Sequence, residues 1–458
     1  MLPAVDTIVA LSTPPGRGGI GVIRLSGPAS IEIARTLLCD PSFSPEPNHS
    51  LLRKVFDPDT RTLLDHALIT YFQAPHSFTG EDVIEFSCHG SPVLLRSIID
   101  MTLRLNARLA DRGEFTLRAV GNGKIDLTQA EALRDLIDAQ TSAALQQASR
   151  QMDGEVSHVI RPVRDRLLDL IVRLESSLEF VEDDLDPIET QQLGKDFDAL
   201  FTDLSNLAKS FSAGRLLRDG IRVALLGRPN VGKSSLFNGL LRLDRAIVTE
   251  LPGTTRDTLS ETIDIQGIAV HLTDTAGVRQ VPDPIEFLGV DRARRAVADA
   301  DLTIVVFDGS EDLRDDDWNL LRDTERYPRI VVMNKNDLSS FQVDRVGNRK
   351  HSNSETVVSV SAKTEAGLDQ LRAAIIKPFL NGQNLTEGLL LTNARHHDLL
   401  VRSLAEIRSS SDLLAEGSSE ELILVGLHNA LNYLGEILGE ITTDDILARI
   451  FSTFCIGK

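Results

Sequence analysis

The strongest constraint on the fold of this chain is the octapeptide Gly-Arg-Pro-Asn-Val-Gly-Lys-Ser at residues 227–234. It fits the pattern G-x-x-x-x-G-K-[ST], in which backbone N–H groups and a lysine surround a chain of phosphates. The apolar run 222–226 before it predicts a strand, and residues 235–241 after it predict a helix. Since a loop at a helix N-terminus is suited to bind an anion, the sequence predicts a nucleotide site in an α/β sheet.

Positions within this loop have expected roles. We expect the Lys233 ammonium group to contact the β- and γ-phosphates, and the Ser234 hydroxyl to ligate Mg²⁺, which prefers hard oxygen ligands. The other nucleotide-binding candidates in the loop are Asn230, Val231, Gly232 and Ser235. Two interpretations of Asn230 stay open: its amide oxygen ligates a monovalent cation beside the phosphates, or it bonds only its own loop.

A second motif, Asp-Thr-Ala-Gly at 274–277, follows the predicted strand 269–273. Asp274 is expected to hold Mg²⁺ through water, and the Gly277 N–H to contact the γ-phosphate; Thr275 and Ala276 complete the motif. Many GTPases carry after this motif a glutamine that orients the attacking water. Here that position is Val278, so another group must supply the function or hydrolysis is very slow.

The base is expected to bind at two later motifs. Asn334, Lys335 and Asp337 follow a predicted strand, and the Asp337 carboxylate can accept two hydrogen bonds from guanine. Adenine offers no such pair of donors, so this motif selects GTP over ATP. The triplet 361–363, whose members are Ser361, Ala362 and Lys363, would support the base. All four motifs in this order predict a Ras-like GTPase domain.

The pattern alone leaves alternatives for the residues that complete hydrolysis. The segment 249–257 holds the position of a switch threonine that would complete Mg²⁺ coordination, and either Thr254 or Thr255 can fill it. The acidic candidates to orient the attacking water are Asp283, Glu286 and Asp291. No arginine finger can be assigned, although Arg256 and Arg279 are available.

The rest of the chain changes pattern twice. Short apolar runs between Gly and Pro turns over residues 7–117 predict a small α+β unit, with helices at 29–38 and 93–105. Apolar residues spaced 4, 3, 4, 3 and 4 apart predict a helix seam: Val156, Ile160, Val163, Leu167, Leu170 and Leu174. The helical pattern stops before the GTPase motifs and returns near residue 399.

This alternation predicts a multidomain chain: an α+β N-terminal domain, a discontinuous α-helical domain and an inserted Ras-like α/β GTPase domain. The expected limits are 1–118 for the first domain, 119–215 and 381–458 for the two helical parts, and 216–380 for the GTPase domain.

Composition excludes several classes. No run approaches 18 uninterrupted apolar residues, so no membrane span is predicted. Three widely spaced cysteines cannot build a disulfide framework and indicate the cytoplasm. The net charge of −19 argues against broad nucleic-acid binding but leaves room for RNA held by a local basic patch or a partner.

Two suggestive patterns are rejected. Residues 16–21 fit G-x-G-x-x-G, but the strand-like run 22–25 follows where a dinucleotide site needs a helix, so a glycine hairpin is predicted. The last four residues, 455–458, superficially resemble a prenylation box, but Gly and Lys are wrong at its last two positions. Cys455 beside Lys458 is either a reactive thiolate or part of an ordinary tail. No zinc motif is present.

The whole set of motifs resembles the MnmE (TrmE) family of tRNA-modification GTPases. The resemblance spans essentially the full length, and the segments that carry it are 6–10, 14–21, 77–82, 89–90, 113–116, 122–132, the GTPase motifs with 253–257, and 455–458.

The resemblance implies an N-terminal domain that dimerises and binds 5-formyl- or 5,10-methylene-tetrahydrofolate. The implied folate contacts are Arg24, Glu85, Lys124 and Lys458, with Cys455 as the reactive thiol. The implied K⁺ ligands are Asn230, Thr254 and the carbonyls of Thr249 and Leu251, and the implied Mg²⁺ ligands are Ser234 and Thr255.

Further implications concern the reaction. Glu286 would position the water through a second one, and paired GTPase domains would use K⁺ in the role of an arginine finger. With the flavin enzyme MnmG, in a heterotetramer or larger assembly, the homodimer would modify carbon 5 of the wobble uridine of tRNA. The competing hypothesis is a regulatory or ribosome-assembly GTPase that modifies nothing.

Overall fold

The computed structural model describes residues 6–179, 187–243, 259–274, 297–343, 356–380, 388–441 and 444–457. The chain forms two compact units. The first contains Met1–Arg134, Gln151–Phe197 and Arg402–Lys458, and the second contains Asp135–Arg150 and Asp198–Val401. Within the described part of the chain, none of the helices is both long and apolar enough to cross a membrane.

The first unit begins with a six-stranded sheet in the order β3-β4-β5-β2-β1-β6. Its strands are β1 (Thr7–Leu11), β2 (Ile20–Ser26), β3 (Ser50–Phe56), β4 (Leu63–Phe72), β5 (Val83–His89) and β6 (Ala107–Leu109). β1 and β2 pair antiparallel, which confirms the predicted glycine hairpin. Alternation along β2 buries Ile23 and Leu25 against helices α1 (Ser30–Leu37) and α2 (Pro92–Arg104) and turns Arg24 to the opposite face.

Helices follow the first sheet along the chain and are divided between the two units. The helices before the second sheet are α3 (Glu114–Gly121), α4 (Leu127–Asp138), α5 (Ser142–Met152), α6 (Glu155–Glu179), α7 (Pro187–Lys209) and α8 (Phe211–Asp219). The predicted seam lies on α6, and all six of its residues are buried. α6 packs against α13 (Glu420–Leu438), which comes from the far end of the chain. The helical domain is therefore discontinuous, as predicted.

The last helices flank α13 along the chain. They are α12 (Ala394–Ala415) and α14 (Asp444–Phe451). Phe451 and Phe454 are buried against Leu127 and Ala130 of α4, so the end of the chain is anchored to the first unit.

The second unit is built on a sheet in the order β12-β11-β10-β7-β9-β8. Its strands are β7 (Ile221–Leu226), β8 (Leu259–Ile265), β9 (Ile268–Asp274), β10 (Leu302–Asp308), β11 (Arg329–Asn334) and β12 (Thr356–Ser359). Only β8 pairs antiparallel. Helices α9 (Lys233–Leu243), α10 (Asp315–Asp323) and α11 (Leu368–Leu380) accompany it. β10 is buried at every residue, as a central parallel strand should be. This is the predicted Ras-like α/β domain.

Candidate functional site

The sequence motifs of the second unit meet at one edge of its sheet. The loop 227–232 follows β7, Asp274 ends β9, Asn334 ends β11, and the 361–363 triplet follows β12. Because these strands are parallel, their carboxyl ends lie side by side, where open α/β sheets bind ligands.

The phosphate-binding loop needs its glycines for conformation and for space. Gly227 has φ of +151°, and a Cβ there would lie 2.4 Å from the Val306 carbonyl oxygen. Gly232 has φ of +98°, and a Cβ there would lie 2.2 Å from the Asn334 amide nitrogen. Both contacts are shorter than any real side chain tolerates, so the loop packs too closely for other residues.

Lys233 and Ser234 lie in the first turn of α9, directly after the loop 227–232. The Lys233 ammonium group donates to the carbonyl oxygens of Gly227 and Arg228, each at 2.7 Å, and so lies over its own loop. The Ser234 hydroxyl lies 3.1 Å from a carboxylate oxygen of Asp274, which is 2% exposed. A hydroxyl and a buried carboxylate side by side are an oxygen donor set that fits Mg²⁺. Val231 is buried in the domain core, and Ser235 follows in the first turn of α9.

Asn334 joins the phosphate-binding loop to the base-binding loop. Its amide nitrogen donates to the Val231 carbonyl at 2.8 Å, and its amide oxygen accepts from the Ala362 N–H at 3.0 Å. The side chain is 2% exposed, so both bonds are shielded from water. Asn334 therefore ties the two loops together through its side-chain amide.

Ser361 orients the Asp337 carboxylate by a hydrogen bond. The Ser361 hydroxyl donates to Asp337 at 2.7 Å and also accepts from the Thr364 N–H at 3.1 Å. The hydrogen bond from Ser361 lowers the pKa of Asp337, and the charges of Lys363 and Lys335 lower it further. An exposed, ionised carboxylate is suited to accept two hydrogen bonds from guanine.

Two ion pairs at this edge were not predicted from the sequence. The Arg228 Nε donates to a carboxylate oxygen of Asp317 at 2.7 Å, and Asp317 is fully buried. That hydrogen bond raises the pKa of Arg228. Lys335 likewise pairs with Asp308, which is 5% exposed. In the sequence, these two aspartates look like the many other acidic residues of the chain. Only the tertiary structure shows that their carboxylates are buried.

Asn230 differs from its neighbours in the loop. It has φ of +65°, a left-handed conformation that Asn tolerates better than most residues. Its side chain is exposed and has no hydrogen-bond partner among the residues that the structure describes. Of the two interpretations of Asn230, bonding to its own loop therefore has no support in the described residues.

Several predicted site residues lie outside the described ranges. They are Thr249, Leu251, Thr254, Thr255, Arg256, Thr275, Ala276, Gly277, Val278, Arg279, Asp283, Glu286, Asp291 and Lys458.

A second candidate site lies on the face of the first sheet opposite α1 and α2. Arg24 of β2 and Glu85 of β5 are register partners, and their side chains form an ion pair at 2.7 Å. The Arg24 guanidinium also lies 5.7 Å from the centre of the Phe115 ring. Both charged side chains stay about a quarter exposed, at 24% and 22%. An accessible cation and anion held together can recognise a ligand that carries acceptors and donors.

The C-terminal tail contacts this ion pair through Gly457. The Gly457 carbonyl accepts from Arg24 at 3.4 Å and from the Ser12 hydroxyl at 3.3 Å. Upstream, Ile456 forms an antiparallel bridge with Arg112. Cys455 is exposed in this docked tail, whereas burial raises the pKa of the Cys88 thiol to about 12. Of these two thiols, Cys455 is the one presented to solvent beside the site.

Lys124 contacts the loop that precedes β5. Its ammonium group donates to the Pro75 carbonyl at 2.8 Å, and its stem packs beside Gly80. Among the described residues, no hydrogen bond joins Lys124 to Arg24 or Glu85. The structure thus brings Arg24, Glu85 and the tail together, and it joins Lys124 to the loop 75–80 by a hydrogen bond and packing.

Comparisons with known proteins agree across the chain. A family model described as GTP-binding protein TrmE N-terminus matches residues 7–124, and one described as MnmE helical domain matches residues 127–455. The tRNA modification GTPase MnmE of Koribacter versatilis is 42% identical over 456 residues, which are 99% of each chain. That of Aquifex aeolicus is 40% identical over 455 residues, 99% of this chain and 100% of the other.

A third relative extends this agreement. The tRNA modification GTPase MnmE of Heliobacterium modesticaldum is 41% identical over 468 aligned residues, again 99% of each chain. Matches that cover both ends, the helical segments and the inserted GTPase motifs leave no part of the chain to another family. The chain belongs to the MnmE (TrmE) family of tRNA modification GTPases.

Proposed function

We propose that this chain is a K⁺-stimulated GTPase whose cycle drives modification of carbon 5 of the wobble uridine of tRNA. The product is of the carboxymethylaminomethyl or aminomethyl type, and the carbon comes from a one-carbon tetrahydrofolate. The observation that carries the proposal is the tail docked at the Arg24–Glu85 pair, because a GTPase that only switches needs no second ligand site. The proposed partners are a second copy of the chain, a flavoprotein of the MnmG kind and the tRNA.

GTP is proposed to bind along the edge of the second sheet. The loop 227–234 holds the phosphates, Ser234, Asp274 and Thr255 hold Mg²⁺, and Asp337 accepts from guanine. The support is the contact between Ser234 and Asp274 and the hydrogen bond that orients Asp337. Bound Mg²⁺ supplies positive charge where the phosphates carry negative charge.

Potassium is proposed to lie beside Asn230, with the Thr254 hydroxyl and the carbonyls of Thr249 and Leu251 as further ligands. The exposed Asn230 amide supports this, since it is unused by the described residues. A cation there supplies the charge that an arginine finger brings to other GTPases. Arg228 is a poor candidate for such a finger because Asp317 holds its guanidinium.

Glu286 is proposed to position the attacking water, since the Val278 side chain cannot bond it. Replacement of Glu286 by Ala is expected to lower turnover by at least about 100-fold while the GTP dissociation constant stays near that of the parent. Asp283→Ala is the matched control. A Glu286→Ala protein that turns over at the parental rate would transfer the role to another group.

The folate is proposed to bind at Arg24 and Glu85, with Lys124 and Lys458 as further contacts and Cys455 as the thiol beside it. Arg24 suits the glutamate carboxylates of a folate, and Glu85 suits donors on its pterin ring. The three cysteines of the described residues are free thiols, which fits the proposed cytoplasmic location.

The first test is steady-state GTP hydrolysis in KCl and in NaCl at equal ionic strength. We expect strong stimulation by K⁺ in the parent protein and loss of the difference in Asn230→Ala. Equal slow rates in both salts would remove the K⁺ site from the proposal.

The second test is equilibrium dialysis with 5-formyl-tetrahydrofolate. We expect binding that Arg24→Ala and Glu85→Gln each abolish and that Arg17→Ala leaves intact, because Arg17 lies exposed in the β1–β2 loop. If the parent protein binds no folate, the non-modifying GTPase becomes the better hypothesis.

A further inference from the structure

We propose that residues 308–317, between the end of β10 and the first turn of α10, form a brace that positions both nucleotide-binding loops at once. In this proposal Asp308 is the positioning residue for Lys335 and Asp317 is the positioning residue for Arg228. The inference rests on the proposed nucleotide site, and it assigns a function to a segment that belongs to none of the four motifs.

The first anchor of the brace holds the base-binding loop. One carboxylate oxygen of Asp308 pairs with the Lys335 ammonium group, and the other accepts from the Ser310 N–H at 3.0 Å and from its hydroxyl. The backbone adds to this, because the Gly309 N–H donates to the Asn334 carbonyl at 2.9 Å. Lys335 itself has φ of +68°, an uncommon conformation for lysine that neighbouring contacts must maintain.

Close packing around Gly309 restricts the conformation of the backbone next to Asp308. A Cβ on Gly309 would lie 2.2 Å from the Phe341 ring, and the Gln342 N–H donates to the Gly309 carbonyl at 3.0 Å. Burial alone would raise the pKa of Asp308, but the hydrogen bonds from Lys335 and Ser310 outweigh it and lower that pKa. The carboxylate therefore stays ionised and keeps the Lys335 side chain in place.

The second anchor holds the phosphate-binding loop. One oxygen of Asp317 accepts from the Arg228 Nε at 2.7 Å, and the other accepts from the Arg314 N–H at 2.9 Å, which caps α10. Asp317 has no exposed surface, and the Arg228 side chain is 15% exposed. The loop is thus tied to the N-terminus of a helix through a buried charge, a pairing that is costly to break on one side.

The two anchors act at opposite ends of the nucleotide. Lys335 lies in the loop that would bind the base, whereas Arg228 lies in the loop that would bind the phosphates. Loops fixed in their binding conformation lose less freedom when the ligand arrives, so the brace should raise affinity. Neither carboxylate belongs to the residues expected to touch the reacting atoms, so the chemical step should be nearly unaffected.

The test compares Asp308→Asn and Asp317→Asn by displacement of a fluorescent GDP analogue with GMP, GDP and GTP. For Asp308→Asn we expect a loss of about tenfold in affinity for all three nucleotides, since the base is common to them. For Asp317→Asn we expect a similar loss for GDP and GTP, with GMP changed less than about twofold, because the lost contact supports the loop around the outer phosphates. Turnover at saturating GTP should stay within about threefold in both.

Controls separate positioning from simple damage. Asp316→Asn makes the same change on an exposed neighbour in the same helix turn and should bind all nucleotides as the parent does. Asp308→Glu keeps the charge and should recover part of the affinity. If Asp317→Asn does not fold, Arg228→Met removes the same ion pair from its more exposed end and should show the same dependence on phosphate number.

Three results would overturn the proposal. One is a folded Asp308→Asn or Asp317→Asn protein that binds GDP within twofold of the parent. Another is an Asp317→Asn protein that loses GMP affinity as strongly as GDP affinity, which would indicate general loosening of the domain. The third is an equal fall in affinity for Asp316→Asn. If the parent itself bound no GDP, the nucleotide site would be at fault instead.

Discussion

At the scale of single residues, Asn334 shows how one amide can connect two ligand-binding loops. Asn334→Asp keeps the acceptor for the Ala362 N–H but places a carboxylate oxygen where the amide nitrogen lies 2.8 Å from the Val231 carbonyl. Two oxygen acceptors in a buried contact repel, so we expect GDP affinity to fall by at least about tenfold. A nucleotide titration measures this.

The control for this substitution is Asn336→Asp. It makes the same chemical change two residues away, where the backbone N–H bonds the Val360 carbonyl and the side chain has no hydrogen bond among the described residues. An Asn334→Asp protein no weaker than Asn336→Asp would show that the loops do not depend on this amide.

Asp337 is proposed to determine the choice of base. Asp337→Asn replaces an ionised acceptor with an amide that can donate, so the guanine donors lose their partner. We expect GTP affinity to fall by about 100-fold or more, while xanthosine triphosphate, which presents a carbonyl in place of the exocyclic amine, gains affinity. Competition of the two nucleotides for the site measures the change, and unchanged preference for GTP would place base recognition elsewhere.

Single residues also show what the sequence could and could not predict. Ser234, Asp274 and Asp337 could be predicted as site residues because their motifs have a fixed spacing after strands. Asp308 and Asp317 could not, because their partners lie 27 and 89 residues away and only folding brings them together. An aspartate in the first turn of a helix is also ordinary capping chemistry, so Asp317 gave no separate signal.

At the scale of elements, the register between β2 and β5 explains how the residues of the candidate folate site come together. Alternation along β2 predicts a strand with Arg24 on one face, but the pairing of β2 with β5 is what sets Arg24 beside Glu85. β3 has only Val55 fully buried, so no apolar pattern marked it as a strand. The helix seam of α6 was predictable because six buried residues repeat over its length.

The docked tail depends on a glycine. Gly457 has φ of +94°, and a Cβ there would lie 2.6 Å from the Leu11 carbonyl oxygen. Gly457→Ala is expected to displace the tail from Arg24 and weaken 5-formyl-tetrahydrofolate binding by about tenfold or more, with GTP hydrolysis unchanged. The control is Ser452→Ala, an exposed change before the docked residues. Equal folate affinity in Gly457→Ala would separate the tail from the site.

Glu114 at the start of α3 is the centre of a charged network in the first unit. It accepts from Arg108 through both oxygens and from Arg118 at 2.9 Å, and its side chain is 10% exposed. Burial alone would raise the pKa of Glu114, but hydrogen bonds from Arg108, the Asp111 N–H and Arg118 lower it. A lowered pKa in the folded state means stability that is present above the unfolded pKa and is lost as pH falls through the folded one.

Glu114→Gln should therefore cost about 3 kcal/mol of unfolding free energy near pH 7, since two arginines lose their partner. The difference from the parent should shrink as the pH falls below about 4.3, the usual glutamate pKa, because the unfolded parent then takes up a proton, and it should be lost below the lowered pKa of the folded Glu114. Urea unfolding at several pH values measures both effects. Glu32→Gln, which breaks an exposed ion pair with Arg35, should cost less than about 1 kcal/mol, and an equal cost would contradict the argument.

At the scale of the whole molecule, contacts between segments that are far apart in sequence determine which compact unit each segment joins. Residues 135–150 follow the N-terminal domain in sequence but belong to the second compact unit. The Thr141 hydroxyl donates to the Gly267 carbonyl at 2.7 Å, and Gln147 bonds Gly388 and Leu390. These contacts join residues 126 to 243 positions apart, so helical periodicity could predict the helices of this region but not the unit that each would join.

Two compact units with separate ligand sites should respond separately to their ligands. A ligand at 100 times its dissociation constant stabilises the form that binds it by about 2.7 kcal/mol. GDP at that excess should therefore move the melting of the second unit upward by about 5–10 °C and leave the melting of the first unit in place. 5-formyl-tetrahydrofolate should raise the melting temperature of the first unit and leave that of the second in place.

Differential scanning calorimetry of the full chain resolves the two transitions, and Asp337→Asn should abolish the GDP shift only. A single transition that moves with either ligand would mean that the two units unfold together as one cooperative unit.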